Sequence, residues 1–281
     1  MSRKEFFRRL RKSKLFLIGF FSILVIVIVC FAAPALVKKD PLAVDLAARL
    51  IPPDWKFGSH FFGTDALGRD VLTRLLIGGK LSLTIAFSVV IITTLVGLAF
   101  GLIVGYFGGI SDLLLMRLCD IMMAIPGLLL AICVVAVLGG SILNLVVVLS
   151  ITGWIVLARV VRSTVLSIRG SEYIKAARVL GVPDYKIIFN EVLPNVISPV
   201  IITATQAFGG MILAEASMSF LGLGVPAPQP SWGAMISDGR EYIANSPWVV
   251  LIPGIALMLT VLAVNFMGDG LNDILNPKNM D

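Results

Sequence analysis

The chain has 281 residues, 58% of them hydrophobic and 14% charged, with a formal net charge of +6 and a mean hydropathy of +0.97. Soluble domains carry about 25% charged residues, so composition excludes an ordinary soluble globular protein. Apolar runs of the length that crosses a bilayer recur along the chain, which points to an all-α, polytopic membrane protein.

The positive charge is not spread evenly. Arg3, Lys4, Arg8, Arg9, Arg11, Lys12 and Lys14 crowd the start of the chain against one acid, Glu5. Directly before an apolar span, such a cluster reads as a cytoplasmic anchor and not as a nucleic-acid surface. Residues 1–14 are therefore expected inside. The apolar run 15–33 ends in Ala33-Pro34-Ala35, which resembles a signal-peptide cleavage site. The run exceeds the core of about 7–15 residues found in such peptides, so a retained first transmembrane helix over 15–36 is expected.

Residues 37–80 mix both charge signs with Pro41, Pro52 and Pro53 and are expected outside. Asp65 followed by residues 66–76 predicts a short capped helix with Leu67, Val71, Leu72 and Leu75 on one side. It reads as an interfacial helix leading into the next span; the alternative is a rim contact for an extracytoplasmic partner. The core, 81–268, begins with a span over 81–106. Its Gly97, Gly101 and Gly105 fall on one helix face, where another helix can approach closely. A third span, 113–138, carries Arg117 and Asp120 near its inner end and should kink at Pro126. A fourth covers 142–161 and ends in Arg159 and Arg162. A fifth, 196–222, holds Pro199, Gln206 and Glu215, and an outer Pro- and Gly-rich loop over 223–247 separates it from a sixth, 248–267. The tail 269–281 returns inside. In this six-span arrangement most of the 23 Lys and Arg residues lie on the inner side.

Absences narrow the function. Cys30, Cys119 and Cys133 lie in or beside apolar runs without CxxC spacing and read as buried small hydrophobes. His60 has no neighbouring Cys or His, so no metal site is expected. No GxxxxGK[ST] motif cradles nucleotide phosphates, and no nucleophile–base or paired-acid set stands out. The chain is expected to be non-catalytic and to hold no cofactor. Glu215 is the acid deepest within a span. Two readings stay open for it: pairing with a polar neighbour, or lining a conduit and touching a cationic group of a substrate.

The polar island 169–195, RGSEYIKAARVLGVPDYKIIFNEVLPN, interrupts the apolar sequence. Ser171 is placed to cap a helix over 172–180, and Glu172 suits its N-terminus. Gly181 permits a reversal, and Pro183 opens a second helix to about residue 191. Leu193-Pro194 should end it before the fifth span. Tyr185, Ile188 and Val192 are candidates for insertion into a groove. An amphipathic membrane-surface loop is the plain reading, and a docking element for an aqueous motor the sharper one.

Residues 172–194 resemble the cytoplasmic EAA loop of ABC-importer permeases, with the pattern EAA, three residues, Gly, nine residues, I-x-L-P. Ala176, Ala177, Gly181, Leu193 and Pro194 match it. Lys175 stands where Glu is usual and Glu191 where Ile is usual, while Glu172 supplies an acid one turn earlier. FGTDALGRDVLTRLL (62–76), EASMSFLGLGVPAPQPSWGAMISDGREYI (215–243) and GDGLNDILNPK (268–278) resemble the dipeptide/oligopeptide branch, and the long outer segment resembles its second permease. The resemblance implies a type I importer (MetI-like) fold in a bacterial inner membrane, with both termini cytoplasmic. It implies a second permease, two ATPases that bind the ATP, and an extracytoplasmic binding protein. It also implies an ATPase-coupling role for Glu172, Lys175, Ala176, Ala177, Gly181, Leu193 and Pro194. Relatives of this kind also serve nickel or metal chelates and glutathione. A self-sufficient carrier or channel is the alternative from another class, and sparse mid-membrane charge argues against it.

Overall fold

The computed structural model describes residues 3–37, 39–55 and 60–275, and among these the regular structure is helical. Helix α1 (Arg3–Lys12) meets α2 (Lys14–Leu36) at Ser13, whose hydroxyl accepts from Phe16 N at 3.3 Å. α2 is the expected first span.

The short helix expected after Asp65 does not form. Asp65 instead closes a turn, accepting from Leu67 N and Arg69 N at 2.9 and 3.0 Å. Gly68 (φ +74°) lets that turn lie against Asp45, where a Cβ would sit 1.7 Å from the carbonyl oxygen. The helix starts at Val71 under a different cap: Asp70 accepts from Thr73 N (2.9 Å) and Thr73 Oγ1 (2.8 Å). From there α3 (Val71–Phe107) runs 37 residues without a proline, through the expected boundary at 80/81. At 1.5 Å per residue that is about 55 Å, well beyond the ~30 Å hydrocarbon core.

Gly108 and Gly109, at φ +67° and +66°, turn the chain into α4 (Gly109–Ala124). The expected kink at Pro126 is a full break: α5 (Gly127–Leu138) leaves α4 at 87°. Pro126 has no N–H to give and biases Ile125 toward its observed extended conformation (φ −98°, ψ 126°), so the helix stops there. α6 (Ile142–Ile168) follows, with Ser141 accepting from Asn144 N at 3.0 Å.

The island forms α7 (Glu172–Val179) and α8 (Asp184–Ile187). Leu193-Pro194 does not end the second helix as expected. A π-helical turn over Ile188–Val192 joins α8 directly to α9 (Leu193–Phe220). Proline crowds the carbonyl four residues before it, and the wide π turn makes room at that point, with Asn195 Nδ2 donating to the Glu191 carbonyl at 2.7 Å. The loop expected outside is not irregular either: it contains α10 (Trp232–Gly239), capped by Ser231, which accepts from Ala234 N at 3.2 Å. α11 (Trp248–Leu275) extends past the expected end of the sixth span. The remainder of the tail, with Lys278, and the cations Lys38 and Lys56, expected outside, fall beyond the described residues. Among the described residues, five helices are long and apolar enough to cross a bilayer, or six if the bent α4–α5 pair counts as one span.

α3 packs most extensively on α6; α9 packs on both, α11 packs on α9, and α2 lies along α11 and reaches α3. A Cβ at Gly97 would lie 2.8 Å from Trp154 O, one at Gly101 2.6 Å from Val161 Cβ, and one at Gly105 2.8 Å from Val165 Cβ. The three glycines therefore set the α3–α6 separation. α2 crosses α11 just as closely, at Gly19 against Met267 N and Gly270 against Phe16 N. Large exposed apolar side chains such as Phe21, Val25, Leu95, Ile103 and Val137 cover the outside, as a lipid-facing surface requires. Cys30 and Cys119 are buried, but Cys133 is exposed, a departure from the expected burial of all three; its helix simply turns it outward.

Adding one methyl at Gly101 forces α3 away from α6, whereas Gly254 on α11 has no neighbour within 4 Å of a new Cβ. Gly101→Ala should cost about 1–3 kcal/mol and lower the thermal midpoint of the purified protein in detergent. Gly254→Ala should leave that midpoint unchanged or raise it. Equal midpoints for the two variants would refute the packing role.

Candidate functional site

The island sits at the end of the bundle where α3 and α11 finish. Its apolar side is sealed into the core: Ile174, Ile187 and Val192 are fully buried and cluster with Leu102, Tyr106, Val161, Val165, Val196 and Val200. Val192, expected to enter a partner's groove, is thus part of this chain's own core. α7 ends in paired hydrogen bonds, Val182 N to Ala177 O and Gly181 N to Arg178 O, both 3.0 Å. This closing motif needs a left-handed residue, supplied by Gly181 at φ +74°. Ser171 precedes the helix but makes no side-chain cap bond, and its hydroxyl is buried without a partner. Ala176 is exposed and Ala177 half-buried. Lys175 pairs with Glu172 at 2.9 Å, an exposed contact of little energetic weight.

The opposite side of the island is exposed and apolar. Val179 is 87% exposed, Leu180 81%, Phe189 62% and Tyr185 61%. Such a concentration on a charged segment marks an interaction surface. Tyr106, on the last turn of α3, is buried beneath it. Its Oη donates to Asp184 at 2.6 Å and accepts from Arg178 Nε at 3.4 Å, and the Arg178 guanidinium lies 4.8 Å from the ring centroid.

Between α3, α5, α6 and α9 lies a cavity of about 460 Å³. Thr93, Thr94, Thr152, Thr203 and Gln206 are its polar residues, set among Gly153, Gly210, Met211 and small apolar groups, and none of its lining residues is ionisable. Glu215 is not among them. It is fully buried one position beyond the lining residue Ala214. Ser219 Oγ donates to its Oε1 at 2.7 Å, and the hydroxyls of Ser82 and Ser231 lie beside the carboxyl group. Oε2 lacks a partner at ordinary hydrogen-bonding geometry. The same serines accept from backbone: Ser219 from Val225 N at 3.2 Å, Ser82 from Trp232 N at 3.3 Å and Ser231 from Ala234 N at 3.2 Å. Glu215 thus sits where α3, α9 and α10 converge.

At the far end, ion pairs tie the loop before α3 to α10, joining buried arginines to an exposed Asp238. Asp65 Oδ2 accepts from Arg69 Nε at 2.7 Å and lies 3.4 Å from Arg74 Nε. Asp238 on α10 lies 3.4 Å from Arg69 and 3.2 Å from Arg74. Trp232 seats α10 on α3, donating from Nε1 to Leu75 O at 3.0 Å.

A family model described as "Binding-protein-dependent transport system inner membrane component" matches residues 97–280. The chain belongs to this family. A second model, described as the N-terminal TM domain of oligopeptide transport permease C, matches residues 3–53. The dipeptide transport system permease protein DppC of Alkalihalophilus pseudofirmus is 42% identical over 98% of this chain and 90% of its own length. The oligopeptide transport system permease protein OppC of Bacillus subtilis is 36% identical, covering 98% and 89%. The glutathione transport system permease protein GsiD of Pectobacterium atrosepticum is 37% identical, covering 98% and 91%. A solved inward-facing structure of the MetNI methionine ABC transporter superposes with a TM-score of 0.59 at 20% identity, over 72% of this chain and 97% of that one. Its likeness shows the MetI-like fold.

In this permease the residues singled out by sequence fall into separate places. The 172–194 set lies on the island, Gly97, Gly101 and Gly105 lie at the α3–α6 seam, and Glu215 lies toward the opposite end from the island. Sequence reasoning missed Tyr106, Arg178 and Asp184, because a tyrosine ending an apolar run reads as an interface anchor. It also missed the threonines of the cavity, which are isolated within apolar helices and share a wall only after packing. Arg74 and Asp238 lie 164 residues apart, and no local signal links them.

Asp70 also receives Lys39 Nζ at 3.1 Å, and His60 Nδ1 lies 3.0 Å from it. Burial alone would raise its carboxyl, but the Thr73 backbone and hydroxyl, Lys39 and His60 outweigh that and hold it below the ordinary 3.8. A lowered carboxyl contributes stability that is fully present above the ordinary value and is lost as pH falls through the lowered one. Asp70→Asn should therefore lose stability at neutral pH and show a shallower acid limb in thermal unfolding than the wild type. Parallel acid limbs would remove Asp70 from this role.

Proposed function

We propose that this chain is the permease of an ATP-driven importer of di- or oligopeptides, forming the pathway with a second permease. The observation that carries the reading is the un-ionised, threonine-lined cavity beside an island whose exposed face is apolar. A peptide presents amides and side chains of either charge, and a largely apolar, uncharged wall with a few hydroxyls and one amide offers hydrogen bonds without sorting by charge. The names of the dipeptide and oligopeptide relatives support the substrate class. The 37%-identical glutathione relative supports a second reading, the same machinery carrying that modified tripeptide.

On this reading the island faces the cytoplasm, as its cations and those of residues 1–14 favour. Both termini are then cytoplasmic. Val179, Leu180, Tyr185 and Phe189 dock in a groove on one of two ATPase subunits, which bind and hydrolyse the ATP; this chain holds no cofactor and catalyses no reaction. Glu172, Lys175, Ala176, Ala177 and Gly181 shape the docking surface, and Leu193 and Pro194 join it to α9. A binding protein delivers substrate to the end where α10 lies. Glu215 holds α10 and α9 to α3 at that end, in preference to touching substrate, since it is fully buried and outside the cavity.

Reconstitution of this chain with its partner permease, ATPases and binding protein should give ATP-dependent peptide uptake, with glutathione competition separating the two substrate readings. Uptake driven by a gradient in liposomes holding this chain alone would contradict the importer reading. Gly181→Pro, which cannot adopt φ +74°, and Ala177→Asp, which puts a charge on a half-buried face, should abolish uptake while leaving the protein in the membrane. Substrate-stimulated ATP hydrolysis at the wild-type rate in either variant would refute the coupling role.

A further inference from the structure

One side chain touches both limbs of the island and neither belongs to its own helix. Tyr106 ends α3; Arg178 lies on α7, and Asp184 is the first residue of α8. The phenol donates to Asp184 and accepts from Arg178, and the guanidinium covers the ring face. Tyr106 is only 3% exposed, so these charge-assisted contacts are shielded from water on one side. Nearby, Arg169 Nη1 donates to Gly105 O at 3.0 Å, so the entry to the island also holds the α3 terminus.

The packing of Ile174, Ile187 and Val192 holds the island to the bundle as a whole, but it does so through α6 and α9 as well as α3. Apolar contacts resist separation; they resist sliding much less, because they are not directional. The hydrogen bonds of Tyr106 are directional. They make α3, which has no direct chain link to the island, follow a displacement of α7 and α8 along with α6 and α9, which the chain itself joins to it. α3 has no proline or break over its 37 residues, so movement at Tyr106 must appear at Gly97, Gly101 and Gly105 against α6. It must also appear at Arg74, where α3 meets Asp238 of α10.

We propose that Tyr106 is the positioning residue through which the island grips α3, coupling work done on α7 and α8 to movement of the transmembrane rod. This role rests on the importer reading above.

The test uses the complete reconstituted transporter and reads peptide taken up per ATP hydrolysed, with the amount of assembled complex measured by co-purification of the ATPases. Tyr106→Phe keeps the ring and its packing and removes only the hydroxyl. It should lower uptake per ATP about 5-fold or more, the lower end of ordinary site-to-site coupling. Asp184→Ala should do the same, and the double variant should lose no more than the worse single one, as residues acting through one contact do. An unchanged ratio in Tyr106→Phe overturns the proposal, and so do losses in the two variants that simply multiply. A fall in total uptake matched by an equal fall in assembled complex also overturns it, because that is a structural role alone. Absence of ATP-driven uptake in the wild-type complex is a separate outcome: it overturns the importer reading and this role with it.

Discussion

The contact on which the architecture depends is the glycine seam between α3 and α6. Hydrocarbon surrounds these helices, so no hydrophobic force drives them together; close van der Waals packing must do it. Gly97, Gly101 and Gly105 present bare backbone to Trp154, Val161 and Val165 at separations where no Cβ fits. With that pair in place, α9 has a surface to pack on, and α11 packs on α9. α2 is held in turn by its own close crossing with α11, at Gly19 and Gly270. A bundle assembled through small residues has little room to deform locally, and it favours movement of whole helices over local bending.

α3 outreaches the hydrocarbon core, and its two ends are where polar chemistry gathers. At one end Asp70 caps the helix and Arg74 is buried between Asp65 and Asp238; at the other Tyr106 bridges Arg178 and Asp184. Arg74 and Asp65 are buried, and a buried pair of this kind holds geometry more than it adds stability, since desolvation offsets most of the attraction. The loop 62–70 shows the same economy. Gly68 allows the approach to Asp45, Asp65 satisfies the turn's amides, and Asp70 starts the helix. That local chemistry explains why the stretch carries such a distinctive sequence.

Between the two ends the chain keeps its interior neutral. Threonines and Gln206 line the cavity, while Glu215 is withdrawn into a cluster of serines beside α10. Two arginines near the island are paired across helices, Arg159 with Asp120 at 2.6 Å and Arg162 with Asp112 through Nε and Nη2. These pairs fasten α4 to α6 even though α4 and α5 part at 87°. A wall without free charge, flanked by rigidly paired ones, suits a conduit whose cargo varies in charge.

The amino-acid sequence by itself determined the membrane class, the number of apolar stretches, the glycine face, the Gly181 reversal and the place of the island. All of these follow from composition, periodicity or backbone sterics, which act over a few residues. It could not show that Asp70 and not Asp65 starts α3, because both are good caps and only burial of the 62–70 turn chooses between them. Pro126 signalled a disturbance, but its size depends on where α5 finds a surface to pack on. Pro194 read as a stop because a π turn leaves no local signature. α10 read as loop because its glycines mask a short helix that Trp232 holds in place from α3. The clamp at Tyr106, the latch at Asp238 and the shared wall of threonines join residues far apart in the chain. Tertiary structure alone decided these, because only packed helices bring such side chains within hydrogen-bonding reach.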